Sequence, residues 1–263
     1  KKAFDFCEEY KNFLNSSKTE REAVDYAVAR AEKSGFTPFD PAKTYKAGDK
    51  VYLNNRGKAL ILCVVGKKPL SEGVHIMAAH TDSPRLDLKQ VPLYEDNEIA
   101  YFKTHYYGGI KKYQWGATPL SLHGVVVKAD GSTVTVRVGE DAGDPVFCVT
   151  DLLPHLAADQ MKRPAGETLR GEELNLLIGS LPFRDDEASE RVKLAIMKLL
   201  NEKYGITETD FLSAELEVVP AFPAVDVGFD RSIVGGYGQD DRVCAYTEME
   251  AVFGAENPEN TVM

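Results

Sequence analysis

The sequence contains no run approaching the ~18 consecutive apolar residues that a membrane-spanning helix requires. Its opening, Lys1-Lys2-Ala3-Phe4-Asp5-Phe6, is too polar and acidic for a secretory leader. A chain with no membrane partner and a cytoplasmic location is therefore expected. Basic residues are outnumbered, 31 Lys and Arg against 41 Asp and Glu, for a net charge of −10. That balance argues against nucleic acid as a partner, which calls for a concentrated basic face. The four cysteines, Cys7, Cys63, Cys148 and Cys244, are far apart and form no C-x-x-C pair, which argues against a thiolate zinc knuckle and against a disulfide framework. Cys63, Cys148 and Cys244 lie in apolar runs and read as buried thiols. No phosphate-cradling glycine loop, dinucleotide fingerprint or serine nucleophile elbow is present.

What is present is enough for a substantial core, since 263 residues can bury most of their unfolded surface. Phe4, Cys7, Tyr10, Phe13 and Leu14 recur at helical spacing. Thr19 and Glu22 form a capping box for a second helix that stops at Gly35. Val51-Tyr52-Leu53, the turn Asn54-Asn55-Arg56-Gly57 and Ala59 to Val65 read as a hairpin. Val74 to Ala79 reads as a central strand covered on both faces, with His80 at its end. From Tyr101 to Val149 short β-rich runs alternate with Gly-Gly, Asp-Gly and Gly-Asp turns, as in a compact barrel or sandwich anchored by Trp115. A short helix capped by Thr150 would hold His155, and residues 163–179 read as a polar excursion. Asp185-Asp186 opens a helix with Val192, Ala195, Ile196, Leu199 and Leu200 on one stripe and Gly205 as its stop. Leu212 to Val218 alternates as a strand, Val243 to Phe253 forms a helix, and Asn260-Thr261-Val262-Met263 begins another buried strand. These shifts in character suggest a β-rich domain, 96–232, inserted into an α/β domain made of 1–95 and 233–263.

Two places concentrate chemistry. His80-Thr81-Asp82-Ser83-Pro84 puts an imidazole at the carboxyl end of a strand, where open α/β sheets place their sites. A neutral imidazole is a good Zn²⁺ ligand, and a nearby carboxylate can orient it. Equally, His80 can be a histidine satisfied by a backbone carbonyl, with Asp82-Ser83-Pro84 as a plain turn. Gly238-Gln239-Asp240-Asp241-Arg242 lies at a loop-to-helix junction, where one aspartate could bridge two metal ions and the other cap the helix, or both could serve the helix alone. His155 has a packing reading beside its ligand reading. Tyr106-Tyr107-Gly108-Gly109-Ile110 suits either a close approach to a substrate or a tight turn. His75, His105 and His123 have no partner at ligand spacing and read as structural.

Ala78-Ala79-His80-Thr81-Asp82-Ser83-Pro84, Tyr107-Gly108-Gly109 followed by Trp115, Pro119 to Lys128, Pro154-His155-Leu156-Ala157 and Asp240-Asp241-Arg242 together resemble the aspartyl aminopeptidase / aminopeptidase I family of zinc metallopeptidases. They occur in the family's order across nearly the whole chain. The resemblance implies an α/β fold, with a metallo-aminopeptidase-like catalytic domain, incomplete here, interrupted by a β-rich dimerisation domain. It implies a homo-oligomer, a tetrahedral dodecamer built from dimers, acting on peptide substrates with two zinc ions per site, or cobalt or manganese in their place. By position, His80 and Asp240 become metal ligands, Asp82 the catalytic residue supporting His80, and His155 a further ligand. Family members continue past the position of Met263, with a Glu-Glu pair, a further Asp and a final His. Where some carry a second histidine four residues beyond His155, this chain has Asp159. The implied activity is release of N-terminal residues from peptides. The alternative is a non-catalytic assembly or binding subunit that keeps the dimerisation domain.

Overall fold

The computed structural model describes residues 1–184 and 188–263. In chain order it runs α1 (Lys2–Ser16), α2 (Glu20–Lys33), β1 (Thr37–Pro38), β2 (Lys50–Asn55), β3 (Ala59–Val64) and β4 (Val74–His75). There follow β5 (Arg85–Asp96), β6 (Ile99–Tyr107), β7 (Leu120–Val127), β8 (Thr133–Val138), β9 (Cys148–Val149), β10 (Leu176–Gly179), α3 (Arg191–Tyr204) and β11 (Ala214–Pro220). The chain closes with β12 (Val225–Val227), β13 (Ile233–Gly235), α4 (Gln239–Phe253) and β14 (Thr261–Val262). It divides into two compact units, one made of Lys1–Ser83 with Pro223–Met263, the other of Pro84–Phe222. The expected insertion, 96–232, starts later than the second unit because β5 pairs along its length with β6 and so belongs to the same sheet.

In the first unit a five-stranded sheet has the order β1-β2-β3-β14-β4. The hairpin read from the sequence is β2 and β3, paired from Lys50↔Val64 to Asn55↔Ala59. Period-two alternation sends Leu60, Leu62 and Val64 of β3 toward the helices. Ile61 and Cys63 line the other face, beside an apolar cavity of about 740 Å³ that Leu53, Leu70 and Met263 also line. The capping box of Thr19 and Glu22 opens α2 as expected. Tyr246 of α4 packs its ring 5.3 Å from those of both Tyr10 and Phe13, tying α4 to α1.

Two expectations for this unit fail. Val74 to Ala79 is not a strand covered on both faces. Only Val74 and His75 pair, with β14, at the sheet's edge, and Ile76 is 67% exposed. An apolar run specifies hydrophobicity, but a strand needs partners, and among the described residues β4 has one neighbour. Cys244 and Val243 are exposed, because α4 buries Arg242, Tyr246, Met249 and Val252, which lie on a different face of the helix. All four cysteines are free, Cys7, Cys63 and Cys148 being half-buried.

The second unit is a seven-stranded sheet of order β8-β7-β11-β5-β6-β10-β9. It curls: an isolated bridge joins Leu120 of β7 to Phe147, just before β9 at the far end. Leu86, Phe102, Trp115, Leu120, Val126, Leu176 and Val218 fill its core. β5 went unread in the sequence because Pro92 and a register shift between Leu88 and Leu93 break its alternation. Residues 163–179 are no polar excursion, since Leu169, Leu174 and Leu176 are buried and β10 pairs with β6. His155 lies in a turn, not a helix. Around it Leu152, Leu153 and Leu156 are exposed and Ala157 is the one buried apolar side chain, so no apolar stripe drives helix formation. Asp185 and Asp186, expected to open α3, lie outside the described residues. The helix begins at Arg191 and ends at Gly205, whose φ of 63° is the left-handed stop that glycine accommodates.

Candidate metal centre

Beyond β4 the Met77 N–H donates to the Met263 carbonyl at 2.9 Å, and the chain reaches His80 in a segment of irregular backbone. Asp240 and Asp241 sit at the start of α4 with non-helical backbone, and the peptide bond between them is cis. The N-cap position is Gly238, and no side chain caps it. The first unit thereby brings together His80, Asp82 and Asp240.

His80 Nδ1 is 3.0 Å from the Asp82 carbonyl oxygen and 3.4 Å from Asp82 Oδ1. A carbonyl only accepts, so this contact favours the tautomer in which Nδ1–H donates and Nε2 keeps a lone pair. Nε2 lies 3.4 Å from Asp240 Oδ1. At that distance either a proton on Nε2 or a metal ion shared by the two atoms meets the Asp240 carboxylate. Partial burial disfavours the imidazolium, yet the Asp82 carbonyl and the carboxylates of Asp82, Asp241 and Asp240 outweigh it and raise the His80 pKa. The same negative field favours a metal ion.

The spacing tests the fit. Bonds of ~2.0–2.1 Å at the tetrahedral angle set two zinc donors roughly 3.4 Å apart. His80 Nε2 and Asp240 Oδ1 show that separation, with Asp82 behind the imidazole where an orienting carboxylate belongs. The pair fits two corners of a zinc site. Among the described residues no group of three His, Cys, Asp or Glu side chains converges to hold an ion.

Neighbouring groups set the geometry. The Ser83 hydroxyl donates to the Asp240 carbonyl at 3.1 Å. Arg242, fully buried, donates from Nε to the Thr81 carbonyl at 3.0 Å and from Nη2 to the Lys18 carbonyl at 2.9 Å. Tyr10 donates to Gln239 Oε1 at 2.6 Å, and Gln239 Nε2 donates to the Val234 carbonyl at 2.7 Å, fixing the approach to α4. Burial raises the Tyr10 pKa to about 12 against the opposing charge of Arg242. The Cys244 thiol donates to the Asp241 carboxylate, which holds the thiol pKa up. Ser83 and Arg242 carried no role in the sequence reading. Both lie inside the motifs that carry the family resemblance, and Arg242 also stands four positions before Tyr246, on the buried side of the helix.

His155 belongs to the second unit, exposed in its turn. His123, buried in the same unit, has Nε2 3.0 Å from Ser121 Oγ. No helix among the described residues is long and apolar enough to cross a membrane.

Residues 13–262 match the family described as Aminopeptidase I zinc metalloprotease (M18). A Clostridium acetobutylicum protein, "Probable M18 family aminopeptidase 1", is 56% identical over 265 residues, covering 99% of this chain and 57% of its own length. The crystal structure of an M18 aminopeptidase from Thermotoga maritima superposes with a TM-score of 0.93 at 47% identity, covering 98% of this chain and 56% of that one. Aminopeptidase I from Borrelia burgdorferi gives 0.89 at 43% identity, with coverages of 98% and 59%. The chain thus spans a little over half the length of the relatives it matches, and the expected interrupted α/β fold agrees with theirs. With a match over almost its whole length and closely superposing relatives, the chain belongs to the aminopeptidase I zinc metalloprotease family, M18.

Proposed function

We propose that the chain serves a metal-dependent aminopeptidase that releases unblocked N-terminal residues from peptides, using two zinc ions per site. The observation that carries this reading is the 3.4 Å edge between His80 Nε2 and Asp240 Oδ1 in a member of a zinc metalloprotease family. Zinc, when bound, acidifies a water and polarises a carbonyl oxygen. His80 would bind it through Nε2. Asp82 accepts the Nδ1 proton through its carbonyl, and its carboxylate holds the ring's orientation and raises its basicity. Asp240, its side chain 97% exposed, would offer one oxygen beside His80 and the other to a second ion. His and Asp donors suit cobalt and manganese as well as zinc.

The second unit is assigned to self-association as a dimerisation domain, building a dodecamer. The exposed Leu152, Leu153, Leu156 and Met161 support a contact surface there, and His155 lies among them. Four free cysteines accord with a cytoplasmic location.

The test is a zinc- or cobalt-supplemented aminoacyl-nitroanilide assay on a preparation of verified intact mass. Turnover that falls at least about a hundredfold in His80→Ala and Asp240→Asn supports the reading. A metal-loaded preparation without turnover that still self-associates favours the non-catalytic assembly role instead.

A further inference from the structure

We propose that Arg242 and Ser83 are positioning residues that set the spacing of His80 and Asp240, and hence the affinity of the site for its metal. The inference rests on the zinc reading above.

His80 and Asp240 come from segments far apart in sequence, and the 3.4 Å between them must be held by something. Two side chains join these segments directly. Arg242 stands two residues after Asp240, and its Nε grips the carbonyl of Thr81, the residue between His80 and Asp82. Its Nη2 holds the Lys18 carbonyl in the turn between α1 and α2. Ser83 crosses in the other direction, donating to the carbonyl of Asp240 itself. Each ligand segment therefore grips the other's backbone.

The chemistry of Arg242 argues for a geometric role. A fully buried guanidinium is costly, and an apolar side chain of similar volume would fill the same space more cheaply. What the guanidinium adds is a rigid planar fork that holds the Thr81 and Lys18 carbonyls at once. The surrounding chain is shaped to admit it. Its carbon lies 5.4 Å from the centre of the Tyr237 ring. A Cβ on Gly238 would fall well inside contact distance of Nη1, 2.9 Å from Cζ and 3.2 Å from the Ser83 hydroxyl. The missing Cβ at 238, the fork of Arg242 and the Ser83 hydroxyl thus meet at one point behind the ligand pair.

The test measures zinc affinity by competition with a chromophoric chelator. The proteins are the unaltered chain, Ser83→Ala, Arg242→Lys, Arg242→Met and His80→Ala. Thermal melts and the ¹⁵N shifts of the His80 imidazole without metal accompany each. Expected are a weakening of about tenfold in Ser83→Ala and about a hundredfold in Arg242→Met, with Arg242→Lys between them. Displaced His80 ¹⁵N shifts in folded Ser83→Ala and Arg242→Lys should accompany the loss, which a purely structural role would not produce. Affinities within twofold of the unaltered chain and unchanged imidazole shifts, while His80→Ala loses zinc, would overturn the positioning role and leave the metal site standing. Zinc binding that survives in His80→Ala, or is absent from the unaltered chain, would overturn the metal site, and this inference with it. If Arg242→Met does not fold, Ser83→Ala and Arg242→Lys decide.

Discussion

Glu95 Oε2 accepts the backbone N–H of Val192 at 2.9 Å, so a carboxylate on strand β5 caps the start of helix α3. The N–H of Lys193 reaches the same oxygen at 2.9 Å. The helix's own N-cap residue, Glu190, makes no side-chain cap and sits at φ 51°. The cap thus comes from a distant strand, and the negative charge lies at the positive end of the helix dipole.

Replacing Glu95 with Ala should therefore cost about 1–2 kcal/mol, as loss of a good N-cap does. Glu95→Gln keeps an acceptor and should recover part of it. Chemical denaturation of both variants checks the order.

Gly238 combines a φ of 83° with the crowding described behind the ligand pair. Gly238→Ala should cost about 1–3 kcal/mol from backbone strain alone and displace the Arg242 fork. A lower Tm together with weaker zinc binding is the expected result. A variant as stable and as tightly binding as the parent would show that the segment relaxes freely.

Asp82 holds the His80 ring from behind, through a carbonyl that survives substitution and a carboxylate that does not. Asp82→Ala should therefore weaken zinc binding about tenfold, whereas His80→Ala removes it. Isothermal titration separates the two.

Glu173 accepts the Arg170 N–H at 2.8 Å and faces Arg163 Nη1 at 3.1 Å. The backbone donor first, then the guanidinium, hold its pKa below the ordinary 4.5. A lowered folded-state pKa contributes stability that is present above the unfolded value and lost as pH falls through the folded one. Glu173→Gln should therefore melt lower than the parent at pH 7. The gap should close on acidification below about pH 4.

Local chemistry made much of the fold legible. The capping box of Thr19 and Glu22, the hairpin turn from Asn54 to Gly57, and the stop of α3 at Gly205 all involve residues within a few positions of one another. Their signals survive without knowledge of the rest of the chain. The strand at β11 was legible as well, but not its burial on both faces from Leu216 to Val219, and Leu199, expected on the α3 stripe, is exposed. The motifs around His80 and Asp240 were legible too, and the family follows from them.

The misread elements depend on distant partners. β5 is a strand in spite of Pro92 because β6 and β11 pair with it, and β10 is one because β6 and β9 flank it. Among the described residues β4 has β14 as its one neighbour, and the apolar composition of Val74 to Ala79 does not encode which strands pair with it. A helix at His155 would have needed a buried face that the surroundings do not offer.

By itself, then, the sequence determined the short-range elements, the candidate ligand residues and the family. Tertiary structure alone decided that His80 Nε2 and Asp240 Oδ1 stand 3.4 Å apart, that Arg242 and Ser83 tie their segments, and that Glu95 caps α3. The physical reason is range. Periodicity and capping report contacts along a few residues of backbone, whereas these contacts form only after packing has closed long loops and brought distant segments together.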